Sequence, residues 1–301
     1  MSGPLVSVGL PVYNGARFLA QALDCLLGQT LADLELIISD NASTDGTAQI
    51  CLDYAARDSR IRYIRQSTNI GALRNFNFVA EQARGRYFKW ASANDFCEPR
   101  LLEACVAVLS ADPGVVLCHG RACMVDEESG ERTPYAGDVS ATHAQPSERF
   151  TALARSLVLN HPLYGAMRTE VLRRTPLIRP YLGGDLVLIA ELGLYGRVHL
   201  LPQVLVYRRF GSATWSIRLD RARLQAFLYG GARDRPRFAR WHRRMDLFHA
   251  VLRAPIPPSE KLRALVLGAQ RASLRRVRAN AAALTRILRK ESNEKQIHRA
   301  T

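Results

Sequence analysis

The 301-residue chain is 48% hydrophobic and 23% charged, which excludes an intrinsically disordered chain and suffices for one large α/β domain plus an appendage. Its formal charge of +15 is uneven: Met1 to Trp215 carries 21 Lys+Arg against 21 Asp+Glu, whereas Ser216 to Thr301 carries 21 against 6. No apolar run is long enough for a membrane span, since Leu182–Tyr195 is interrupted by Asp185 and Glu191, and six scattered cysteines without a CxxC pair exclude a disulfide scaffold.

In chain order, Leu5–Leu10 reads as a buried strand. Phe18, Leu19, Ala22 and Leu26 give Ala16–Gly28 a helical period. Leu34–Ser39 is a second strand. Ser43 or Thr44 is placed to cap the helix Asp45–Ala56, with Asp45 near its positive end. A third strand, Ile61–Arg65, leads to a helix over Ile70–Ala83 and a fourth strand over Arg86–Ala93. Pro99 suits the first turn of the helix Arg100–Ser110.

Two short strands follow, Val115–His119 and Ala122–Val125. The thiols and His119 of CHGRAC read as strand residues, because a zinc site needs a second ligand pair. Asp126 to Ser147 is rich in turn residues and reads as a mobile loop. Glu148–Leu159 is helical, Leu163–Met167 a strand, and Asp185–Tyr195 a helix opened by Gly183-Gly184. Val198–Leu201 and Val204–Arg208 read as two final strands. Beyond Ser212 the pattern turns helical and Arg-rich, broken at Pro255, Pro257 and Pro258, with a long helix over Ser259–Lys290. The N terminus lacks the pattern of a signal peptide, and scattered thiols fit a reducing cytosol.

This alternation predicts a mainly parallel, doubly wound sheet with helices on both faces. The expected boundary falls at Trp215, between a catalytic domain (1–215, its nucleotide part about 1–120 and its acceptor part about 121–215) and a basic helical region (216–301). Three apolar runs end in small polar or acidic residues: PVYNG, then Asp40, then Asn94-Asp95. Parallel strands would deliver these to one sheet edge, where open α/β sheets bind ligands. Neither GxGxxG nor GxxxxGK[ST] occurs, so no glycine-rich loop grips a phosphate, and a metal is the expected counter-charge for a diphosphate.

The ordered set PVYNG (Pro11–Gly15), SDNASTDGT (Ser39–Thr47), NIGALRN (Asn69–Asn75), WASANDF (Trp90–Phe96) with Pro99, and GGD ending at Asp185 resembles the inverting glycosyltransferases of family 2, which have the GT-A fold. The resemblance covers roughly Leu5 to Arg209. It implies that Pro11, Tyr13, Asn14 and Asn69 line a nucleotide pocket and that Asp40 bonds the base or ribose. It implies that Arg74 reaches the base or diphosphate. Asn94 would meet a ribose hydroxyl, and Asp95, the second position of a DxD-type motif, would coordinate Mg²⁺ or Mn²⁺. Asp185 would be the base for the acceptor hydroxyl, with Glu191 the second choice and His161 and Tyr164 near the acceptor.

The implied partners are a nucleotide-diphosphate sugar donor and a glycan or lipid-linked acceptor, as in assembly of bacterial surface polysaccharide. Two rivals remain, a sugar nucleotidyltransferase and a non-catalytic binder of the same fold, the latter favoured by Asn94. For the basic tail two readings stand side by side. Its amphipathic helix lies on an anionic membrane surface, with the protein cytoplasmic and peripheral at the inner face, or it packs on the catalytic domain or on a second subunit as a homo-oligomer. No nucleic-acid motif is present.

Overall fold

The strands β1 (Val6–Val12) and β2 (Leu34–Asp40) are buried at every residue, as parallel strands covered on both faces must be. The computed structural model describes residues 3–211, 227–229 and 239–269. Helix α1 (Ala16–Leu27) joins β1 to β2. Then α2 (Thr47–Arg57), β3 (Ile61–Arg65), α3 (Ala72–Glu81) and β4 (Tyr87–Trp90) complete a doubly wound half. β1 pairs in parallel with both β2 and β4, and β2 with β3. Gly9 allows α3 to press on β1, since a Cβ there would come within 2.7 Å of Val79.

The second half holds β5 (Phe96–Cys97), α4 (Leu101–Ala111), β6 (Val115–Asp126), β7 (Arg132–Pro134), α5 (Pro146–Ser156), β8 (Ala166–Arg168), α6 (Thr169–Leu172), α7 (Gly184–Tyr195) and β9 (Arg197–Phe210). The sheet runs β3-β2-β1-β4-β8-β6-β9-β5, with β7 beside β6. β8 and β5 are antiparallel to their neighbours, and β6 and β9 run parallel.

Two expected strand pairs are each one strand. Val115–His119 and Ala122–Val125 fuse into β6, and Val198–Leu201 and Val204–Arg208 fuse into β9. Register shifts around His119–Ala122 bend the β6–β9 pair without ending it. Pro202 falls between the paired Leu200 and Val204, where no ladder N–H is required. The segment expected to be a mobile loop is tied to the sheet by β7 and by a bridge from Ala141 to Val198. His119 is buried in β6, its ring nitrogens 3.0 Å from Val139 O and 3.2 Å from Gly120 O, and all six thiols are free.

Helices α8 (Ala239–Arg253) and α9 (Pro258–Ala269) pack on this body. Ala250, Val251, Ala254 and Ala264 are fully buried in the same core. Glu260 accepts from Ser147 N at 3.0 Å, and Arg263 meets Glu148 at 2.7 Å. The described part of the basic region therefore shares the core of the α/β body. The expected helix Ser259–Lys290 is described as far as Ala269, and its remainder lies outside the described residues.

Candidate active site

The loop after β2 holds the loop after β1. Asn14 N donates to Ser43 Oγ at 3.0 Å, Gly15 N to Thr47 Oγ1 at 2.9 Å and Ala16 N to Asp45 Oδ2 at 3.1 Å. These N–H groups open α1 and have no partner within it, so the neighbouring loop caps them. Ser43 thus serves α1 across the sheet edge and not α2, whose N-cap is Gly46, whereas Asp45 serves both, its Oδ1 accepting from Thr47 N at 3.0 Å. Asn14 sits at φ +49°, a left-handed conformation that Asn tolerates, and its Oδ1 accepts from Thr44 N at 2.8 Å.

Asp40 is fully buried. One oxygen accepts from Ser43 N at 2.8 Å, and the other from Tyr63 OH at 3.0 Å, with Arg65 3.9 Å away. Asp40 thus ties the loop, through Ser43, to β3, through Tyr63, and is not among the residues that line the cleft at the carboxyl ends of the strands. Asn14 likewise gives its Oδ1 to the loop.

At the carboxyl ends of β1, β2 and β4 lies a cleft of about 590 Å³, a size that accommodates a small-molecule substrate. Pro11, Tyr13, Asn69, Asn94 and Asp185 line it together. Tyr13 is 43% exposed and forms one wall. Asn69 Oδ1 accepts from Asn41 Nδ2 and Gly71 N, both at 2.9 Å, which anchors the turn into α3. Gly71 has φ +85°, and a Cβ there would come within 2.6 Å of Leu228 O. Only glycine lets Phe227–Tyr229 cross so close, and Phe227 and Leu228 complete the cleft lining. A second cavity of about 550 Å³ lies at the amino ends of the strands, around Pro4, Arg84 and Arg168, and contains none of the expected site residues.

Arg74 is not brought into the cleft. It is exposed on the outer side of α3, and the 100° turn of the helix gives the inward place to Asn75, which is buried and bonded to Ser39 Oγ and Ser39 O.

Asp95 is held by β9. Phe96 pairs with Tyr207 and Cys97 with Val206 in antiparallel register, which sets Asp95 opposite Arg208. Arg208 Nε lies 2.6 Å from Asp95 Oδ2, with the N–H off the line to that oxygen, and Arg209 N donates to Asp95 Oδ1 at 2.9 Å. Arg209, which also lines the cleft, turns its guanidinium to Asn94 O and Gln21, opposite in direction to Arg208 as strand alternation requires. Asn94 lines the cleft with no charge of its own.

The donor set does not fit a divalent cation held by the chain. It offers one carboxylate, already paired with a guanidinium, beside a neutral amide. Among the described residues no three His, Cys, Asp or Glu side chains gather as metal ligands.

Across the cleft, Gly183 at φ +88° starts α7 and turns Asp185 toward the cavity. Asp185 Oδ1 accepts from Leu186 N at 2.9 Å, and Oδ2 accepts from Asn160 Nδ2 at 2.8 Å. Burial pushes its pKa above the ordinary carboxylate value, against the pull of those two donors. A carboxylate so placed is suited to take a proton. Glu191 is buried away from the cleft, with Arg253 Nε and Nη2 both 3.0 Å from its Oε1. It fastens α8 to α7 and is not among the cleft-lining residues.

His161 and Tyr164 line the cleft beside Asp185. His161 Nδ1 is 3.0 Å from Asp138 Oδ1, and burial lowers the imidazole pKa. The Arg208 guanidinium lies 4.1 Å from the Tyr164 ring centre and donates to Asn160 Oδ1 at 3.3 Å. Sequence reasoning missed Arg208, Asn160 and Asp138. The one available signal was the pair Arg208-Arg209 ending an apolar strand, with one neighbour bound to face each side.

The family model described as "Glycosyl transferase family 2" matches residues 7–175. "Chondroitin synthase" of Escherichia coli is 32% identical over 125 residues, 42% of this chain and 18% of that protein. The chain spans less than half the length of the curated relatives it matches. S. aureus TarS 1-349 in complex with UDP-GlcNAc superposes with a TM-score of 0.60 at 17% identity, covering 85% of this chain and 69% of that one. The mannosyltransferase PcManGT from Pyrobaculum calidifontis, in complex with GDP-Man and Mn²⁺, gives 0.52 at 21%, covering 95% and 81%. These likenesses place the sheet and helices in the GT-A fold.

Proposed function

The chain belongs to glycosyl transferase family 2, and from that premise we propose that it moves a hexose from a nucleoside-diphosphate sugar to an acceptor hydroxyl, inverting the anomeric centre. One observation carries this reading: a single cleft joins the PVYNG wall and Asn94 on one side to a burial-perturbed Asp185 on the other. Asp185 takes the acceptor proton while the acceptor oxygen bonds to the anomeric carbon. The bond from that carbon to the diphosphate oxygen breaks, and its electron pair leaves with the nucleoside diphosphate. One displacement inverts the configuration, and Asp185 then returns the proton to solvent.

Pro11 and Tyr13 wall the nucleotide, Asn69 fixes the turn beside it, and Asn94 offers an amide to the ribose. His161 and Tyr164 flank the acceptor. A positive charge is needed beside the leaving diphosphate. Mg²⁺ or Mn²⁺ would supply it where bound, as Mn²⁺ accompanies GDP-Man in the mannosyltransferase complex, but the arrangement at Asp95 does not fit that ion. The steps above therefore run on the chain's own residues.

The relation to chondroitin synthase supports a glycan acceptor, free or lipid-linked. No helix among the described residues is long and apolar enough to cross a membrane. A peripheral place at an inner membrane face is the localisation that suits a lipid-linked acceptor. The test is a panel of UDP-, GDP- and dTDP-sugars, read as nucleoside diphosphate released with wild type and with Asp185→Asn. Release that wild type performs and the variant lacks supports the reading. Pyrophosphate formed from a nucleoside triphosphate instead would assign the chain to nucleotidyl transfer.

A further inference from the structure

Three arginines line the cleft among the described residues, Arg208, Arg209 and Arg243, and Arg208 is the one whose side chain pairs with Asp95. The Arg208 side chain is 17% exposed, so it lies under the cleft surface while still lining it. Asp95 fixes one edge of the guanidinium, Tyr164 its face, and Asn160 Nη1. Among the described residues Nη2 has no partner. Asn94 adds no charge, so Asp95 and Arg208 balance each other, and a divalent ion at Asp95 would have to enter against the guanidinium. We propose that Arg208 itself binds the donor's diphosphate, so that donor binding does not depend on a divalent cation.

This rests on the glycosyltransferase reading and deepens it. A guanidinium is planar, always charged and forked, and it holds phosphate oxygens by charge-assisted hydrogen bonds. Asp95 then acts as a positioning residue that aims Arg208 and is not a metal ligand. Asn160 bridges Arg208 to Asp185, so the group that receives the leaving diphosphate is tied to the group that takes the acceptor proton.

The experiment is calorimetric titration of UDP, GDP and dTDP, and of the matching nucleosides, into the full chain in EDTA and in Mn²⁺. Wild type should bind its diphosphate equally in both buffers, within about twofold. Arg208→Gln should weaken the diphosphate by roughly 10- to 100-fold, the worth of a hydrogen bond to a charged group, and leave the nucleoside unchanged. Arg208→Lys, which keeps the charge and loses the fork, should fall between them. Diphosphate binding by wild type that is lost in EDTA and restored by Mn²⁺ overturns the proposal and leaves the donor reading intact. That arm needs no variant to fold. A chain that binds none of the diphosphates in either buffer overturns the donor reading and this proposal with it.

Discussion

In the proposed mechanism Asp185 takes the acceptor proton, and its surroundings fix how it responds to pH. Burial raises its pKa, and a base acts only when ionised. Transfer should therefore fall as pH drops through a value above the ordinary carboxylate range, read as the acid limb of kcat/KM. Asn160→Ala removes a donor to the ionised form, so that limb should move further up. The same shift bears on stability. A carboxyl raised in the folded state favours folding below its unfolded pKa, and the advantage is lost as pH rises through the folded value. At neutral pH the ionised group is a burden, so Asp185→Asn should raise Tm there while lowering transfer by about 10²- to 10⁴-fold. Tm unchanged at neutral pH and lower in acid would contradict the burial account. Asp185 was legible in the sequence because two glycines and an acid open an apolar helix. Arg208 was not, because only the pairing of β5 with β9 reveals that it opposes Asp95. Asp40 and Arg74 were legible as motif positions, but whether each side chain reached the cleft depended on loop bonding and helix phase.

Elements are joined here by polar ties more than their own sequences announce. The loop after β2 caps α1, and Thr47 Oγ1 receives the buried N–H of Gly15. Thr47→Val keeps the shape and leaves that donor unpaired. It should cost about 1–3 kcal/mol, read by urea denaturation, and should also loosen nucleotide binding through Tyr13. The Glu191–Arg253 tie joins α7 to α8, with Glu191 buried and Arg253 40% exposed. Arg253→Ala strands a buried carboxylate, and the cost should be roughly 1–3 kcal/mol, below that of a fully buried pair because Arg253 is partly solvated. Glu191→Gln in the same background should recover much of the loss; no recovery would mean that packing by the arginine stem dominates. The strands and helices of the first half were legible from period and turn residues. The merging of strands into β6 and β9 was not, because bulges read in sequence like strand ends.

For the whole molecule, the +15 charge and the packing of α8 and α9 must be taken together. These helices share the core, yet Trp241, Phe248 and Leu252 on α8 are 59%, 40% and 46% exposed, and Leu262 and Val266 on α9 are 65% and 53%. Exposed apolar residues on a basic surface suit the interface of an anionic bilayer. Full-length protein should co-sediment with vesicles containing phosphatidylglycerol, less so at high salt, and Trp241→Ala with Phe248→Ala should weaken this without lowering Tm. Salt-insensitive self-association removed by the same pair would instead mark a contact between copies. The central claim is inverting transfer from a nucleoside-diphosphate sugar, and it is tested most directly by NMR of the sugar first released when water is the acceptor. The account predicts that this sugar has the anomeric configuration opposite to the donor's, is released with one nucleoside diphosphate, and is lost in Asp185→Asn. A first-formed sugar of the donor's own configuration, or an undiminished rate in Asp185→Asn, would contradict it.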